Sequence, residues 1–163
     1  MILDWQFASS PSLPLFGEPK WNPGKAGDSP VSDQRSDKAG NPRILVIDDE
    51  TLIAETVVEI LKEEGFEATA VSTGSSAIEL AETLRPDIVL SDVIMPGLNG
   101  IETGIRIRQI VPGCRIILFS GQAATVDLLE KARQQGHRFD ILAKPIRPEQ
   151  LISVIRGGSG YVS

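Results

Sequence analysis

The feature that most constrains this chain is an alternation of short, continuous apolar runs with amphipathic segments from Arg43 onward. The four continuous runs are residues 44–47, 87–90, 115–119 and 139–143. Apolar residues without strict alternation are typical of parallel strands that helices cover on both faces. The run at residues 67–71 is more polar and is predicted to be an edge strand of the same sheet.

Between these runs, apolar residues recur at the spacing of a helix face. Four such stripes are Ile53, Val57, Ile60 and Leu61; Ala77, Leu80, Ala81 and Leu84; Ala124, Leu128 and Ala132; and Leu151, Val154 and Ile155. The segment at about 101–111 is less cleanly amphipathic, but Pro112-Gly113 ends it. Five strand–helix units in succession require right-handed crossovers. They predict a doubly wound α/β fold, with a parallel sheet between two layers of helices.

Residues 1–42 differ from the remainder and contain six of the eleven prolines. This segment lacks a sustained strand or helix period, so we predict a disordered Pro/Gly/Ser-rich N-terminal tail. Both tryptophans, Trp5 and Trp21, lie there, which leaves open a short docking motif. The predicted domain spans residues 43–156, and residues 157–163 are predicted to be a short flexible C-terminus.

The charge and cysteine content exclude several classes of protein. The net charge is −6 and no basic stripe is present, which argues against direct binding of nucleic acid or of an anionic membrane surface. No apolar run reaches the length of a membrane span, and the N-terminus lacks the pattern of a signal peptide. Cys114 is the single cysteine and cannot form an intrachain disulfide. These features predict a cytoplasmic, soluble protein.

Polar residues follow four of the predicted strands at the point where each strand ends. They are Asp48-Asp49-Glu50 after the first strand, Ser91-Asp92 after the third, Ser120-Gly121 after the fourth and Lys144-Pro145 after the fifth. The carboxyl ends of parallel strands meet at one edge of the sheet, where ligands bind in such folds. Among these polar residues, we expect three carboxylates (Asp48, Asp49 and Asp92), the hydroxyl of Ser120 and the ammonium of Lys144 to converge.

Such a cluster requires a counter-charge. Two carboxylates about 4 Å apart repel by roughly 4 kcal/mol at an effective dielectric near 20, and Lys144 supplies a single positive charge. A hard divalent cation such as Mg²⁺ suits carboxylate and carbonyl oxygens, and it would let an anionic carboxylate attack a phosphoryl group. Taken singly, each acid could equally be a helix cap.

In these motifs the chain resembles the response regulator receiver family, from Arg43 to about Arg156. The motifs are Asp48-Asp49, the stretch from Ser91-Asp92 through Met95-Pro96-Gly97 to Gly100, Ser120-Gly121, and Lys144-Pro145. The resemblance implies a flavodoxin-like (βα)5 fold with strand order 2-1-3-4-5. It also implies that the chain is a signalling domain rather than an enzyme, and that the Lys144–Pro145 peptide bond is cis.

The resemblance further implies a role for each residue of the site. Asp92 would be the phosphoacceptor. Asp49, Asp92 and the backbone carbonyl of Ile94 would bind Mg²⁺ or Mn²⁺ directly, with Asp48 acting through a water molecule. Lys144 would pair with the phosphoryl oxygens, the hydroxyl of Ser120 would move to meet them, and Gly121 would supply a loop N–H. The implied partners are a sensor histidine kinase or a histidine phosphotransfer protein, and an unknown downstream protein.

One departure concerns the switch by which the family signals. Receivers usually display their phosphorylation state on the surface corresponding to residues 123–135, 139–143 and 148–156. The family often has an aromatic ring three residues before the lysine, where this chain has Ile141. Phe139 is predicted to point to the same face, one step further from the site. The aromatic half of the switch is therefore in doubt.

Two alternatives remain open. One is a receiver-like binding module that is never phosphorylated. The other is an aspartyl-phosphate phosphatase of the haloacid dehalogenase type, which needs a second acid where this chain has Ile94. The few residues after Arg156 leave no room for an output domain, so we expect a stand-alone receiver that signals through protein contacts or onward phosphotransfer.

Overall fold

The computed structural model describes residues 40–121 and 123–157. The predicted tail up to residue 39, with both tryptophans, and the C-terminal residues from 158 lie outside the described residues. Within the described ranges, all helices are too short or too polar to cross a membrane.

The described residues contain one five-stranded parallel sheet. Its strands are β1 (Arg43–Ile47), β2 (Glu67–Val71), β3 (Ile88–Asp92), β4 (Arg115–Ser120) and β5 (Asp140–Ala143). Their order is β2-β1-β3-β4-β5, and every neighbouring pair is parallel. The predicted fold class and strand order are confirmed, and β2 is an edge strand, as its polarity predicted.

Five helices cover the sheet in the described part of the chain. They are α1 (Thr51–Glu63), α2 (Gly74–Leu84), α3 (Gly100–Ile110), α4 (Ala124–Gln134) and α5 (Pro148–Ile155). Residues of α1 and α5 belong to one buried apolar cluster, whereas residues of α2, α3 and α4 belong to a second. The helices therefore form two layers, as a doubly wound fold requires.

Strand β1 illustrates why the continuous apolar runs are needed. Ile44 and Val46 pack in the cluster with α1 and α5, while Leu45 and Ile47 pack in the cluster with α2, α3 and α4. Successive side chains of a strand point to opposite faces, so a strand covered on both sides must be apolar at every position. All four of these residues are fully buried.

The start of α3 lies directly against the end of β3. Asn99 accepts a hydrogen bond from the Glu102 N–H at 2.8 Å, and the Glu102 carboxylate accepts one from the Asn99 N–H at 3.2 Å. This capping box starts α3 in spite of its weak amphipathicity. A Cβ atom on Gly100 would lie 2.0 Å from the Asp92 carbonyl oxygen. Only glycine therefore permits this close approach, which positions the loop beside Asp92.

Candidate functional site

Three carboxylates meet at the carboxyl edge of the sheet. Asp48 and Asp49 directly follow β1, and Asp92 is the last residue of β3. Because β1 and β3 are adjacent and parallel, their ends bring the three side chains together. One carboxylate oxygen from each residue lies within 4.8 Å of the others. The structure thus brings together the three acids that the sequence predicted to converge.

Asp48 is the buried member of this cluster, with 1% of its surface exposed. Its Oδ1 accepts a hydrogen bond from the Glu50 N–H at 2.9 Å. Its Oδ2 is buried and has no hydrogen-bond partner among the described residues, although the Lys144 Nζ lies 3.7 Å away. The cap interpretation is not borne out, because Glu50 is the N-cap of α1 and no side chain caps that helix; the turn contact from Glu50 satisfies only half of the Asp48 carboxylate.

The surroundings of Asp48 disfavour the ionised form of its carboxylate. Burial raises its pKa, and the negative charges of Asp92 and Asp49 raise it further, against the opposing effects of the Glu50 N–H and the Lys144 ammonium. A buried carboxylate oxygen without a donor is costly. This oxygen is therefore the atom of the described site that would gain most from a nearby cation or hydrogen-bond donor.

Asp92 and Lys144 form the central contact of the site. The Lys144 Nζ donates to Asp92 Oδ2 at 2.8 Å, and the Ile94 N–H donates to Asp92 Oδ1 at 3.2 Å. Burial lowers the pKa of Lys144, but its hydrogen bond to Asp92 and the charges of Asp92, Asp48 and Glu50 outweigh this effect and raise the pKa. Lys144 is therefore a fixed cation beside Asp92.

The donor set fits a hard divalent cation. Asp49 is exposed and Asp92 is half-buried, so their carboxylates face the opening of the site, while Asp48 lies beneath them. Three negative charges face the single ammonium of Lys144, and all three acids offer oxygen ligands of the kind that Mg²⁺ prefers. The residues present therefore fit the predicted metal.

Ser120 is the last residue of β4 and Gly121 follows it, so both lie at the carboxyl end of this strand, as predicted. The hydroxyl of Ser120 forms a hydrogen bond with the hydroxyl of Thr125, a residue of α4 that is almost fully buried. A Cβ atom on Gly121 would lie 3.3 Å from the Lys144 Cβ, so glycine leaves space for the lysine side chain. The sequence analysis missed Thr125, because nothing in its local pattern distinguishes it from other polar residues of α4.

Two further residues belong to the loops at this edge. Ile94 is 45% exposed, and its N–H contacts Asp92; the predicted role of its carbonyl stays a prediction. The Lys144–Pro145 peptide bond is cis, so that expectation is confirmed.

The structure also defines the surroundings of Ile141, which stands where the family often has an aromatic ring. Ile141 and Phe139 both line a groove beside α4, but so does Asp140 between them, so their predicted common face stays a prediction. The Phe139 ring packs against the second apolar cluster, and the guanidinium of Arg108 lies 5.0 Å from its centroid. Phe139 is therefore anchored in the core at the far end of β5 rather than beside Ser120.

The fold and the site together define a class of protein. A doubly wound sheet with acids at the ends of β1 and β3, a hydroxyl at the end of β4 and a lysine after β5 is the arrangement expected of a receiver domain. Residues 44–156 match the response regulator receiver domain. The chain belongs to this family, whose members act in two-component signalling and are partnered with histidine kinases.

Known proteins share the domain at moderate identity. The DNA-binding response regulator MtrA of Mycolicibacterium smegmatis is 34% identical over 114 residues, which cover 70% of this chain and 49% of MtrA. The transcriptional regulatory protein PdtaR of Mycobacterium tuberculosis is 37% identical over 123 residues, covering 74% of this chain and 58% of PdtaR. The chain thus spans about half the length of the MtrA proteins that it matches.

A solved structure shows the same fold. The crystal structure of a CheY-like response regulator receiver domain protein from Methanospirillum hungatei matches with a TM-score of 0.65 at 26% identity. The match covers 72% of this chain and 92% of that chain.

Proposed function

We propose that this domain accepts a phosphoryl group on Asp92 from a phosphohistidine of a sensor kinase or of a histidine phosphotransfer protein. The observation that carries the proposal is the cluster of Asp48, Asp49 and Asp92 around a single ammonium. This cluster is unfavourable by itself and becomes favourable when a cation and a phosphoryl group complete it.

In the proposed transfer, a carboxylate oxygen of Asp92 attacks the phosphorus atom of the donor phosphohistidine. The new bond joins this oxygen to phosphorus, and the bond from phosphorus to the imidazole nitrogen breaks with its electron pair remaining on nitrogen. Lys144, 2.8 Å from Asp92 Oδ2, would pair with the phosphoryl oxygens as their charge reorganises. Preorganised charges of this kind account for much of the catalysis in phosphoryl transfer.

A divalent cation, Mg²⁺ or Mn²⁺, would be held by Asp49, Asp92 and the Ile94 backbone carbonyl, with Asp48 contributing through a water molecule. When bound, it supplies the positive charge that allows an anion to attack a phosphoryl group. The buried Oδ2 of Asp48, which has no donor among the described residues, supports an ordered water or ion beside it.

The proposed signal begins at Ser120. Once Asp92 is phosphorylated, the hydroxyl of Ser120 would leave its partner Thr125 and donate to a phosphoryl oxygen. The N–H of Gly121 would support the same oxygen. Because Thr125 belongs to α4, the exchange would transmit the chemical state of Asp92 to that helix.

The test is phosphorylation by a small donor such as acetyl phosphate in the presence of Mg²⁺, followed by intact mass measurement. We expect one phosphoryl group per chain in the native protein and in Asp127→Asn, which removes an exposed aspartate of α4. We expect none in Asp92→Asn. Undiminished labelling of Asp92→Asn would overturn the assignment of the acceptor.

The same experiment separates the alternatives. A binding module that is never phosphorylated would remain unlabelled under all conditions, including with every kinase of its own organism. A phosphatase of the haloacid dehalogenase type would turn over a phosphate ester, for which Ile94 offers no acid. The family match over residues 44–156 argues against this second alternative.

A further inference from the structure

The loop between β3 and α3, residues 93–99, contains the backbone carbonyl of Ile94 that the proposed function assigns to the cation. Val93 is fully buried and Met95 nearly so, and both pack in the second apolar cluster. Ile94 between them is 45% exposed, and its N–H donates to Asp92 Oδ1 at 3.2 Å. Apolar anchors therefore hold the first half of this loop beside Asp92.

The start of α3 closes the base of this loop. The Gly100 N–H donates to the Val93 carbonyl oxygen at 2.9 Å, and a Cβ atom on Gly100 would lie 2.0 Å from the Asp92 carbonyl oxygen. The first residue of α3 therefore contacts the last residue of β3 and the first residue of the loop. Because peptide groups are planar and rigid, a shift of Gly100 would be passed along the backbone to Ile94.

Asn99, the residue before Gly100, is fixed through three of its polar groups. Its Oδ1 accepts a hydrogen bond from the Glu102 N–H at 2.8 Å, and its own N–H donates to the Glu102 carboxylate at 3.2 Å. Its carbonyl oxygen accepts a hydrogen bond from the Thr103 hydroxyl at 2.8 Å. Thr103 is fully buried, so water does not compete for this last contact. Asn99 thus fixes the point at which the loop ends and α3 begins.

The start of α2 packs against the same part of the loop. A Cβ atom on Gly74 would lie 2.2 Å from Thr103 Oγ1 and 3.1 Å from Leu98 Cβ, so only glycine permits α2 to approach this closely. The end of the loop is therefore packed against α2 on one side and against β3 on the other. In a connection packed on both sides, a change at Asn99 has few ways to relax without moving the loop.

We propose that Asn99 is a positioning residue for the divalent cation. Through the capping box it fixes Gly100 against the end of β3, and it thereby holds the Ile94 carbonyl where that oxygen could bind the ion. Asn99 is not itself a ligand, because its Oδ1 is occupied by the Glu102 N–H. The inference rests on the proposed function, since it concerns the same cation. If Asn99 served α3 alone, its loss would lower stability and leave the affinity for the cation unchanged.

The first measurement is a calorimetric titration of the full chain with Mg²⁺, under conditions in which every variant is folded. Asn99→Ala is expected to weaken Mg²⁺ binding by about 10-fold, as loss of a group that orients a ligand does. Asn99→Ser keeps an oxygen that can cap the helix and should remain within about threefold of native. Equal losses in Asn99→Ala and Asn99→Ser would refute the role of the capping oxygen.

The matched control for stability lies in the same helix. Ile107 is fully buried in α3, and Ile107→Val lowers stability by an amount comparable to the loss of a cap without touching the loop. We expect its affinity for Mg²⁺ to remain within about twofold of native. A loss as large as that of Asn99→Ala would show that any weakening of α3 suffices, and would overturn the proposal.

A second pair of variants separates position from charge. Glu102→Ala and Glu102→Gln both remove one negative charge, but glutamine keeps a carbonyl oxygen that can accept the Asn99 N–H. We expect Glu102→Ala to weaken Mg²⁺ binding by about fivefold, because it removes one of the two bonds of the box, and Glu102→Gln to remain within about twofold of native. Equal weakening in both variants would assign the effect to the lost charge and contradict the proposal.

A further measurement reads the position of the loop without the cation. In the metal-free protein, Asn99→Ala should speed hydrogen exchange of the Gly100 N–H by about 10-fold relative to the amides of β1, since local opening exposes this bond. The amide resonance of Ile94 should shift in the same variant, and Ile107→Val should show neither change. An unchanged Gly100 N–H in Asn99→Ala would rule out the proposed coupling.

These results distinguish the inference from the proposed function. If the native protein shows no saturable binding of Mg²⁺, the cation of the proposed function is overturned and the role of Asn99 with it. If the native protein and Asn99→Ala bind Mg²⁺ equally, only the role of Asn99 fails. Labelling of Asp92 by acetyl phosphate in Asn99→Ala should reach the native extent at saturating Mg²⁺, with a higher half-saturating concentration. A loss of labelling that Mg²⁺ does not restore would contradict a role confined to the cation.

Discussion

The carboxyl edge of the sheet and the groove between α4 and β5, which we call the α4–β5 groove, are both places where like charges gather, but their signs and their exposure differ. At the edge, the carboxylates of Asp48, Asp49 and Asp92 surround one ammonium. In the groove, arginines surround an apolar interior. Ser120 belongs to both regions, since it ends β4 and lines the groove.

This difference in charge and exposure indicates what kind of ligand or partner each region could bind. The edge offers compact oxygen ligands at a partly buried position, which suits a small, hard cation and a phosphoryl group. The groove offers long, exposed side chains above apolar residues. The edge therefore suits the proposed phosphoryl transfer, whereas the groove suits contact with another protein.

The largest effect that we expect comes from removing the single cation of the edge. Lys144→Met should lower the initial rate of phosphorylation by acetyl phosphate on the order of 100-fold, because no other described cation lies at hydrogen-bond distance from Asp92. Lys131→Met, at an exposed position of α4, is the control and should retain the native rate. A rate for Lys144→Met within about twofold of native would contradict the role of Lys144.

The next effect tests how the edge is assembled. Gly100→Ala places a Cβ atom 2.0 Å from the Asp92 carbonyl oxygen, and backbone atoms cannot move aside as a side chain would. We expect a loss of about 3 kcal/mol in the free energy of unfolding, measured by urea denaturation. Gly113→Ala meets no atom within 4 Å and should change stability by less than about 1 kcal/mol. Equal effects of the two changes would refute the close approach of α3 to β3.

Removal of one predicted metal ligand should have a moderate effect. Asp49→Ala is expected to weaken Mg²⁺ binding on the order of 10–100-fold in calorimetry, and Asp48→Ala to weaken it less, because Asp48 is predicted to act through water. Asp127→Ala is the control for loss of one exposed acid. A larger loss in Asp48→Ala than in Asp49→Ala would reverse the proposed ranking.

A smaller effect concerns stability without metal. Asp48→Asn should raise the free energy of unfolding of the metal-free protein by about 1 kcal/mol, since it removes a buried charge that lacks a full set of partners. Excess Mg²⁺ should reduce or reverse this gain. Asp127→Asn, at the exposed start of α4, should give no gain.

The gain in stability of Asp48→Asn should also depend on pH, in a direction that follows from the pKa of Asp48. Burial raises the folded-state pKa of Asp48 above its ordinary value of 3.8, so the folded protein binds this proton more tightly than the unfolded chain does. The charged carboxylate therefore costs stability as the pH rises through the folded-state pKa. The advantage of Asp48→Asn should be absent below pH 3.8 and fully present once the pH exceeds the raised folded-state pKa; a gain that increases towards acid pH would contradict it.

The smallest effect concerns the communication between the two regions. A complete two-state switch needs about 5.5 kcal/mol, whereas one hydrogen bond to a charged group contributes roughly 1.5–3 kcal/mol. Because Ile141 provides no ring to follow Ser120, we expect beryllofluoride, a phosphoryl mimic, to shift the amide resonances of Ser120 and Thr125. Those of Arg133 and Arg138 should change little. Large, saturating shifts along the whole groove would show a complete switch without the ring.

Much of the edge was predictable from the sequence, and the reason is geometric. In a parallel sheet all strands end on the same side, so Asp92 after one strand and Lys144 after another had to lie near each other once both strands were recognised. The capping box of Asn99 and Glu102 was also visible as a pattern, although the sequence analysis did not use it. Local spacing and the direction of the strands carried this information.

The remaining features of the edge and of the groove depended on contacts that no local sequence pattern specifies. The burial of Asp48 Oδ2, which has no hydrogen-bond donor in the described part of the chain, and the bond from Ser120 to Thr125 arise from the way in which loops fold back on the sheet. Arg108, Arg133 and Arg138 come from the end of one helix, the end of another and a turn, so only packing brings them to one groove.

The sequence by itself therefore determined the strands, their common direction and the acids at their ends, because these follow from apolar periodicity and chain order. The tertiary structure alone decided which carboxylate oxygen is buried without a hydrogen-bond donor among the described residues, which hydroxyl Ser120 contacts, and where Arg108, Arg133 and Arg138 collect. Those outcomes depend on distances between side chains far apart in sequence, and such distances are set only when the two helix layers close over the sheet.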